Sequence, residues 1–393
     1  MSYAPQRPIY DADSHVMELP DWLATFADAS TRQALRPLPL GAAGALADAA
    51  VGRAAQRSAV RAAAGTAVIE PLALHEVLGP KGWDAIGAFD SGERSLVLDT
   101  LGFDAQLVFP TFASGHFAGP DLDLLYGGTD ALNRAMAAFC ADDQRLLAVG
   151  VIPWAIPERT ILAARRAIDE GVAAIQVPTS LPRGVVSPTH PDHQPLWALL
   201  EEHGVPAVTH IGGGGNPVQR GYHDNGVRVT DFLGGGENTR SKDYLAIHQR
   251  SEVFWGSMVL DGMLERFPDL RGASIEEGAL WVIPWMMRLD ATRKAFRKTE
   301  PAISELPLLP SQYVERQLRF CPFPTESAGW LIAQGGPDLF MFSSDYPHPE
   351  GTRDPVATFE ATMADVTDEA RTNFYSRNFA ELFHRRSLAA TRS

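Results

Sequence analysis

The chain has 393 residues, of which 45% are hydrophobic and 21% are charged, and its formal net charge is −14 at pH 7. This acidic balance argues against a nucleic-acid partner, because phosphate binding needs clustered positive charge. The length and apolar content suit one large domain, such as a (β/α)8 barrel with insertions.

The N-terminus lacks the apolar stretch of a signal peptide, and no run of about 18 apolar residues is present to span a membrane. The two cysteines, Cys140 and Cys321, lie far apart, and neither belongs to a C-x-x-C pair. We therefore expect reduced, buried thiols in a soluble cytoplasmic protein that binds a small molecule and has no membrane contact.

Eight short apolar runs alternate with amphipathic segments of helical length. Alternating strands and helices predict a parallel sheet, and a count of eight strands predicts closure into a barrel. The predicted strands are 8–13, 105–109, 146–153, 173–177, 206–210, 271–276, 318–322 and 339–345. The predicted helices are 129–141, 157–170, 252–267, 280–294 and 368–383.

Two connecting segments exceed ordinary loop length, residues 28–97 after strand 1 and residues 211–250 after strand 5. The first is rich in Ala, Gly and Arg, and we expect it to form helices over one end of the barrel. The second contains the glycine runs 212–215 and 234–236, which are typical of lids and binding loops. A phosphate-binding loop is disfavoured because the Lys-Ser/Thr and GxGxxG patterns are absent. We expect a single domain, 1–393, with both segments as insertions over the site.

Polar side chains at the predicted strand ends are of metal-binding type. Asp13 and His15 close the first strand, and residues two apart on a strand project to the same face. His210 ends the fifth strand, Glu276 the sixth and Asp345 the eighth. Carboxylate oxygens and imidazole nitrogens bind zinc, iron and manganese. The sequence therefore predicts a site for one or two divalent ions.

Each of these residues also has an ordinary structural interpretation. Asp345 could cap a helix or a turn, and His210 could be a hydrogen-bonded core histidine. Of the adjacent pair Glu276 and Glu277, one must point away from the cavity, and we favour Glu276 as the site residue. Asp11 is expected to orient the first strand.

Further candidates lie in the connecting segments. We expect His248 to act as a catalytic acid beside Asp345 and Glu276. Arg220 and Arg240 are expected to clamp a substrate carboxylate, because guanidinium groups bind carboxylates through two hydrogen bonds. His348 and Glu18 are expected to contact the substrate and to support the metal, respectively. The alternative for each of them is an ordinary surface residue.

The segments D-A-D-S-H-V at 11–16, T-H-I-G at 209–212, E-E-G at 276–278 and S-D-Y-P-H at 344–348 resemble the amidohydrolase-related group, in the branch that contains aminocarboxymuconate semialdehyde decarboxylase. The resemblance covers nearly the whole chain and implies a TIM barrel of the metal-dependent hydrolase type. His210 and Asp345 match the family's strand-five histidine and strand-eight aspartate, the latter able to act as a base. Asp13 aligns with the first histidine of the family's H-x-H signature, and Glu276 aligns with the histidine usual after strand six.

The differences from the family pattern at Asp13 and Glu276 bear on which metal is bound and which reaction is catalysed. Strand four offers Gln176 where binuclear members carry a carboxylated lysine, and the carboxylate-rich site favours iron or manganese. We expect a metal-dependent hydrolase that directs an activated water at an amide, ester, thioester or carbon–carbon bond of a small organic acid. The alternative is a nonoxidative decarboxylase of an aromatic or unsaturated acid, which the missing strand-six histidine disfavours. A barrel that binds without turnover is a third hypothesis. The substrate would belong to aromatic breakdown or secondary metabolism, and a homodimer is common for such barrels.

Overall fold

A parallel sheet forms the centre of the protein, and its strands follow one another in sequence order. This computed structural model describes residues 3–4, 7–38, 40, 43–64, 72–212, 217–227 and 240–385. Each strand pairs with the next in parallel register. The strands are β1 (Tyr10–Val16), β2 (Ala105–Pro110), β3 (Leu146–Val151), β4 (Ala174–Gln176), β5 (Ala207–His210), β6 (Gly272–Ile275) and β7 (Leu318–Phe320).

Helices connect these strands. Between β1 and β2 lie α1 (Trp22–Phe26), α2 (Ala29–Ala34), α3 (Ala43–Ala64), α4 (Leu74–Leu78) and α5 (Ser91–Leu101). The next three strands are followed by α6 (Leu122–Cys140), α7 (Pro157–Asp169) and α8 (Gln194–His203). The connection from β5 to β6 contains α9 (Ser241–Ala246), α10 (Gln249–Leu260) and α11 (Met263–Arg266). The remaining helices are α12 (Val282–Phe296), α13 (Pro301–Glu305), α14 (Pro310–Gln317), α15 (Ala328–Gly335), α16 (Pro355–Glu360), α17 (Asp368–Thr372) and α18 (Asn378–Leu382).

The strands are buried along nearly their whole length, as expected for a parallel sheet covered by helices. Helix α6 shows how the covering layer forms. The Asp121 side chain accepts hydrogen bonds from two main-chain N–H groups of its first turn. Leu132 and Met136, one turn apart, are buried toward the sheet. The predicted parallel α/β sheet is therefore confirmed.

The predicted eighth strand is an irregular segment rather than a regular strand. Met341 N donates to Phe320 O of β7 at 2.9 Å, and Ala12 N of β1 donates to Phe342 O at 3.0 Å. Residues 339–346 thus lie between the two edges of the sheet and bond to both. Regular pairing is limited to isolated bridges, and Asp345 leaves the extended conformation with φ of 54°.

Two predicted helices are interrupted. Helix α10 ends at Leu260, and Gly262 with φ of 74° separates it from α11. The predicted helix 368–383 contains a π-helical turn at Asn373–Arg377 between α17 and α18. The wider turn lets Phe374 O accept a hydrogen bond from Phe342 N at 2.9 Å.

The two long connecting segments differ in how much of them is described. Helices α2, α3 and α4 and the start of α5 lie within residues 28–97. That they cover one end of a barrel stays a prediction. Much of the glycine-rich second segment, including residues 213–216 and 234–236, lies outside the described residues. Within the ranges given above, no helix combines the length and apolar character needed to cross a bilayer.

Candidate metal centre and cavity

The five predicted metal ligands meet at the carboxyl ends of the strands. His15 Nε2 lies 3.3 Å from Asp13 Oδ1 and 3.7 Å from Asp345 Oδ1. His210 Nε2 lies 3.4 Å from Asp13 Oδ1 and 3.3 Å from Glu276 Oε2. These five residues, hereafter the ligand cluster, are nearly or completely buried. The fold thus brings together side chains from four different strand ends.

Hydrogen bonds outside the ligand cluster define which histidine nitrogens face it. The Thr111 hydroxyl donates to Val16 O at 2.9 Å, because a carbonyl can only accept. Its oxygen then accepts from His15 Nδ1 at 3.3 Å and from His348 Nε2 at 3.1 Å. His15 Nε2 and His348 Nδ1 therefore carry lone pairs that point inward.

The position of the ring hydrogen of His210 is also defined by a hydrogen bond outside the ligand cluster. Its Nδ1 lies 2.9 Å from the main-chain oxygen of Ile211, to which it donates. The lone pair of Nε2 is consequently directed at the carboxylates of Asp13 and Glu276. A backbone carbonyl that orients a metal-binding imidazole in this way is a common arrangement in metalloproteins.

In the ligand cluster, imidazole nitrogens and carboxylate oxygens that can accept a hydrogen bond or bind a metal therefore face one another. His15 Nε2 is buried and makes no hydrogen bond within the described residues. Burial lowers the pKa of His15 to about 3, so its ring is neutral and able to bind a metal. A divalent cation among these atoms would relieve the cost of burying them unsatisfied. The residues therefore fit zinc, iron or manganese, as their nitrogen and oxygen donors indicate.

Two members of the ligand cluster have an unusual backbone conformation. Within the described residues, Glu276 (φ 53°) and Asp345 (φ 54°) alone among non-glycine residues have positive φ. Such conformations cost about 1–3 kcal/mol and concentrate at functional sites. At Asp345 the loop packs so closely that a Cβ on Gly351 would lie 3.0 Å from the Asp345 main-chain oxygen.

The left-handed turn at Glu276 also separates the two adjacent glutamates. Glu276 faces His210, whereas Glu277 is buried beneath the site. Glu277 Oε2 accepts hydrogen bonds from Ser274 Oγ at 2.5 Å and Thr209 Oγ1 at 3.1 Å. Burial raises the pKa of Glu277 to about 7. Glu276 is accordingly the glutamate that lies beside the ligand cluster.

Asp11 connects three parts of the sheet. Its carboxylate accepts from Ser344 N at 2.8 Å, from Ser344 Oγ at 2.6 Å and from Gln106 Nε2 at 2.8 Å. Burial raises the pKa of Asp11 to about 7. These bonds hold β1 against β2 and against residues 339–346, the orienting role expected from the sequence.

Glu18 acts on the loop that follows β2. Its carboxylate accepts from the main-chain nitrogens of Thr111, Phe112 and Ala113 at 2.7, 2.8 and 3.2 Å. It therefore positions Thr111, which in turn orients His15. Thr111 was not among the predicted site residues, although it directly follows β2 and is therefore a polar residue at a strand end.

Arg94 is a completely buried residue of α5 that was not among the predicted site residues. Its guanidinium donates to Gly87 O at 2.8 Å and to Gln106 Oε1 at 3.1 Å, and it lies 5.1 Å from the centre of the Tyr346 ring. No local pattern distinguishes this arginine from the exposed ones on neighbouring helices.

A cavity of about 310 Å³ opens beside His15 and His210, a volume suited to a small organic ligand. Gln176 lies on its wall. The remaining lining is mostly apolar and comes from the β2–β5 side of the sheet: Pro110, Phe117, Leu125, Leu132, Val151, Ile152, Pro153, Pro178 and Ile211.

The other predicted site residues are distributed differently. His348 is buried, with Nδ1 3.0 Å from Asp345 Oδ1. His248 stacks on Trp281 with ring centres 5.6 Å apart. Arg220 lies in an exposed 3-10 turn, and Arg240 precedes α9. Arg220, Arg240 and His248 are not among the described residues that line the cavity. Their roles in catalysis and substrate binding stay predictions.

Comparisons with known proteins agree with this arrangement. A model of the amidohydrolase family matches residues 10–385. A comparison with curated proteins gives no match. A solved amidohydrolase from Mycobacterium avium subsp. paratuberculosis K-10 is 20% identical with a TM-score of 0.69, over 97% of this chain and 98% of that chain.

Two solved decarboxylases have the same fold. The 5-carboxyvanillate decarboxylase of Sphingomonas paucimobilis is 18% identical with a TM-score of 0.59, over 96% of this chain and 99% of that chain. The dihydroxybenzoic acid decarboxylase of Polaromonas sp. JS666, solved with manganese and 2-nitroresorcinol, is 17% identical with a TM-score of 0.59, over 97% and 98% of the two chains. The family resemblance expected from the strand-end motifs is confirmed, and the chain belongs to the amidohydrolase family.

Proposed function

We propose that this protein is a metal-dependent nonoxidative decarboxylase of a small aromatic or unsaturated carboxylic acid. The observation that carries the proposal is the ligand cluster of inward-facing lone pairs beside an apolar cavity of about 310 Å³. The likeness to decarboxylases of 5-carboxyvanillate and dihydroxybenzoic acid supports this reaction more than hydrolysis. The manganese in one of those structures supports a divalent cation here.

The residues have distinct tasks in this reaction. Asp13, His15, His210 and Asp345 would hold the cation, which supplies positive charge to the substrate carboxylate and an adjacent oxygen. The apolar wall of the cavity packs against the ring and excludes water from it.

Glu276 provides the proton that the reaction needs. It occupies the strand-six position at which the family usually has a histidine, and its carboxyl group lies 3.3 Å from His210. The proton from Glu276 forms a C–H bond with the electron pair of the broken carbon–carbon bond, and CO2 leaves. Glu276 then regains a proton from water. An acid at this position removes the objection that the missing histidine raised.

Hydrolysis is the second candidate, favoured by the same glutamate. As a carboxylate, Glu276 can take a proton from water that attacks a carbonyl-type bond, and the resulting acid can protonate the leaving group. The two reactions therefore differ in whether Glu276 enters the cycle as an acid or as a base.

Oxygen labelling distinguishes the two reactions. The purified protein, loaded with manganese, would be incubated with 2,6-dihydroxybenzoate, with 5-carboxyvanillate and with simple phenolic esters in H2¹⁸O. We expect CO2 and an unlabelled phenol from one of the acids, and no product with the Asp345→Asn variant. Product that carries ¹⁸O, without CO2, would contradict decarboxylation and support hydrolysis.

We also propose how the sheet closes and where the two long segments lie. We infer a single domain, 1–393, closed as a (β/α)8 barrel, in which residues 28–97 and 211–250 are insertions that cover the site. The bonds of residues 339–346 to both sheet edges support closure. Arg220, Arg240 and His248 would then reach the substrate from the second segment. From composition we further propose a cytoplasmic protein without nucleic-acid or membrane partners. We also propose that it forms a homodimer, which sedimentation would test.

A further inference from the structure

His348 lies closer to the metal centre than a substrate-contacting residue needs to be. Its ring stacks on that of His15 with centres 3.8 Å apart and an interplanar angle of 23°. Ligand atoms of His15, Glu276, Asp345 and His348 all lie within 4.8 Å of one another. His348 is thus a member of a second set of four possible ligands, which shares three residues with the ligand cluster.

The orientation of His348 directs a lone pair into this set. Its Nε2 donates to the Thr111 hydroxyl oxygen, so Nδ1 of the neutral ring is an acceptor, and it lies 3.0 Å from Asp345 Oδ1. This contact requires a positive charge, which without a metal is a proton on Nδ1 that pairs the ring with the Asp345 carboxylate. A divalent cation can take the place of that proton. A cation bound to Asp345 would therefore also attract His348 Nδ1.

Thr111 orients two imidazole rings with one hydroxyl group. The hydroxyl donates its hydrogen to Val16 O, and its oxygen accepts hydrogen bonds from His15 and from His348. The loop that carries Thr111 is fixed by the Glu18 carboxylate. Thr111 consequently orients both rings before any metal arrives, with the second nitrogen of each directed inward, which reduces the reorganisation that binding requires.

The loop that carries His348 is held at both ends by one short segment. Gly82 N donates to Pro347 O at 2.7 Å, and Lys81 Nζ donates to Thr352 O at 3.1 Å. His348 therefore occupies a fixed position between these two anchors and is not displaced from Asp345 by movement of the loop.

From these contacts we propose that His348 is itself a metal ligand through Nδ1, and that Thr111 is the positioning residue that orients His348 and His15 together. This inference rests on the metal centre of the proposed function. It adds a ligand that the strand-end pattern does not contain, because His348 lies in the loop beyond the last strand-like segment.

Metal binding tests the proposal without reference to a substrate. Mn²⁺ affinity would be measured by calorimetry on the metal-free full chain, and the visible absorption of the Co²⁺ form would report coordination. We expect His348→Ala to weaken Mn²⁺ binding at least about tenfold and to change the Co²⁺ spectrum. Thr111→Val should weaken binding about 10–100-fold, and Thr111→Ser should restore it.

A matched control is available in the same cavity. Thr129 also lines it, but its hydroxyl donates to Leu125 O within α6 and contacts no imidazole. Thr129→Val should leave Mn²⁺ affinity and the Co²⁺ spectrum unchanged. The unfolding temperature of each metal-free variant would identify any general loss of structure.

The outcomes separate this inference from the proposed function. If wild type binds Mn²⁺ and both His348→Ala and Thr111→Val bind it equally well, His348 is not a ligand, and the metal centre stands without it. If wild type and Asp345→Asn alike bind no metal, the metal centre fails and the inference fails with it.

Discussion

Arg94 donates a hydrogen bond of 2.6 Å from Nη2 to the main-chain oxygen of His15, and its guanidinium is completely buried. The same group bonds Gly87 O and Gln106 Oε1, so one side chain fixes the end of β1 against β2 and the start of α5. The position of His15, a predicted metal ligand, thus depends on an arginine that does not line the cavity.

Replacing Arg94 should destabilise the protein. Arg94→Met leaves three buried acceptors without a donor, and we expect the free energy of unfolding to fall by about 3 kcal/mol. Urea unfolding of the metal-free chain would measure this change. Arg166→Met is the control, because Arg166 is half exposed and, among the described residues, forms an ion pair with Asp130 alone, so its replacement should lower the free energy of unfolding by only about 1 kcal/mol. Equal effects of the two variants would contradict the role assigned to Arg94.

The adjacent glutamates offer a second test. Glu276→Gln should lower turnover about 10²–10⁴-fold, because Gln cannot exchange a proton, while the bound metal is retained. Glu277→Gln should instead lower stability by about 1–3 kcal/mol, since Glu277 accepts buried hydrogen bonds from Ser274 and Thr209. Turnover and thermal unfolding of both variants would be compared. A greater loss of turnover in Glu277→Gln would reverse the assignment.

Metal should stabilise the folded protein. The proposed cation would bind the ligand cluster only in the folded chain. Mn²⁺ at 100 times its dissociation constant should therefore raise the free energy of unfolding by about 2.7 kcal/mol. A chelator should remove this gain. Asp345→Asn and His210→Ala should contain less metal by plasma mass spectrometry and should gain less stability from Mn²⁺. Full stabilisation of both variants would show that the ion binds elsewhere.

The attachment of α3 should depend on pH. Arg57 and Arg61 of α3 each bond the buried carboxylate of Glu93 at 2.8 Å. Burial alone would raise the pKa of Glu93, but the hydrogen bonds from these arginines outweigh burial and lower the pKa below its ordinary 4.5. A lowered folded-state pKa stabilises the fold above pH 4.5, and this contribution is lost as the pH falls through the folded value.

Glu93→Gln should therefore be less stable than wild type near neutral pH, by about 2 kcal/mol. The difference should shrink below pH 4.5, where the wild-type carboxylate begins to take up a proton. Urea unfolding of both proteins across this range would measure it. A difference that is constant with pH would mean that the ion pairs do not stabilise α3.

The ligand cluster could be predicted because parallel strands end at one edge, so the polar residues that follow them must converge. Arg94 could not be predicted, because it acts through a contact with His15 of β1, 79 positions away in sequence. Thr111 follows β2 and meets the same strand-end rule, but its bond to Val16, 95 positions away, has no signal in the sequence. The choice between Glu276 and Glu277 depended on a left-handed backbone at Glu276. Sequence patterns do not predict such a conformation for glutamate, since it is sterically unfavourable.

The irregular segment 339–346 has a consequence for synthesis of the chain. It carries Asp345 and completes the hydrogen bonding of β1, which carries Asp13 and His15. A ribosome-bound chain must therefore expose the edge of its first strand until residues 339–346 have emerged. Asp345 joins Asp13 and His15 only with that late pairing, so a cation held by all three would report that this segment has folded against β1.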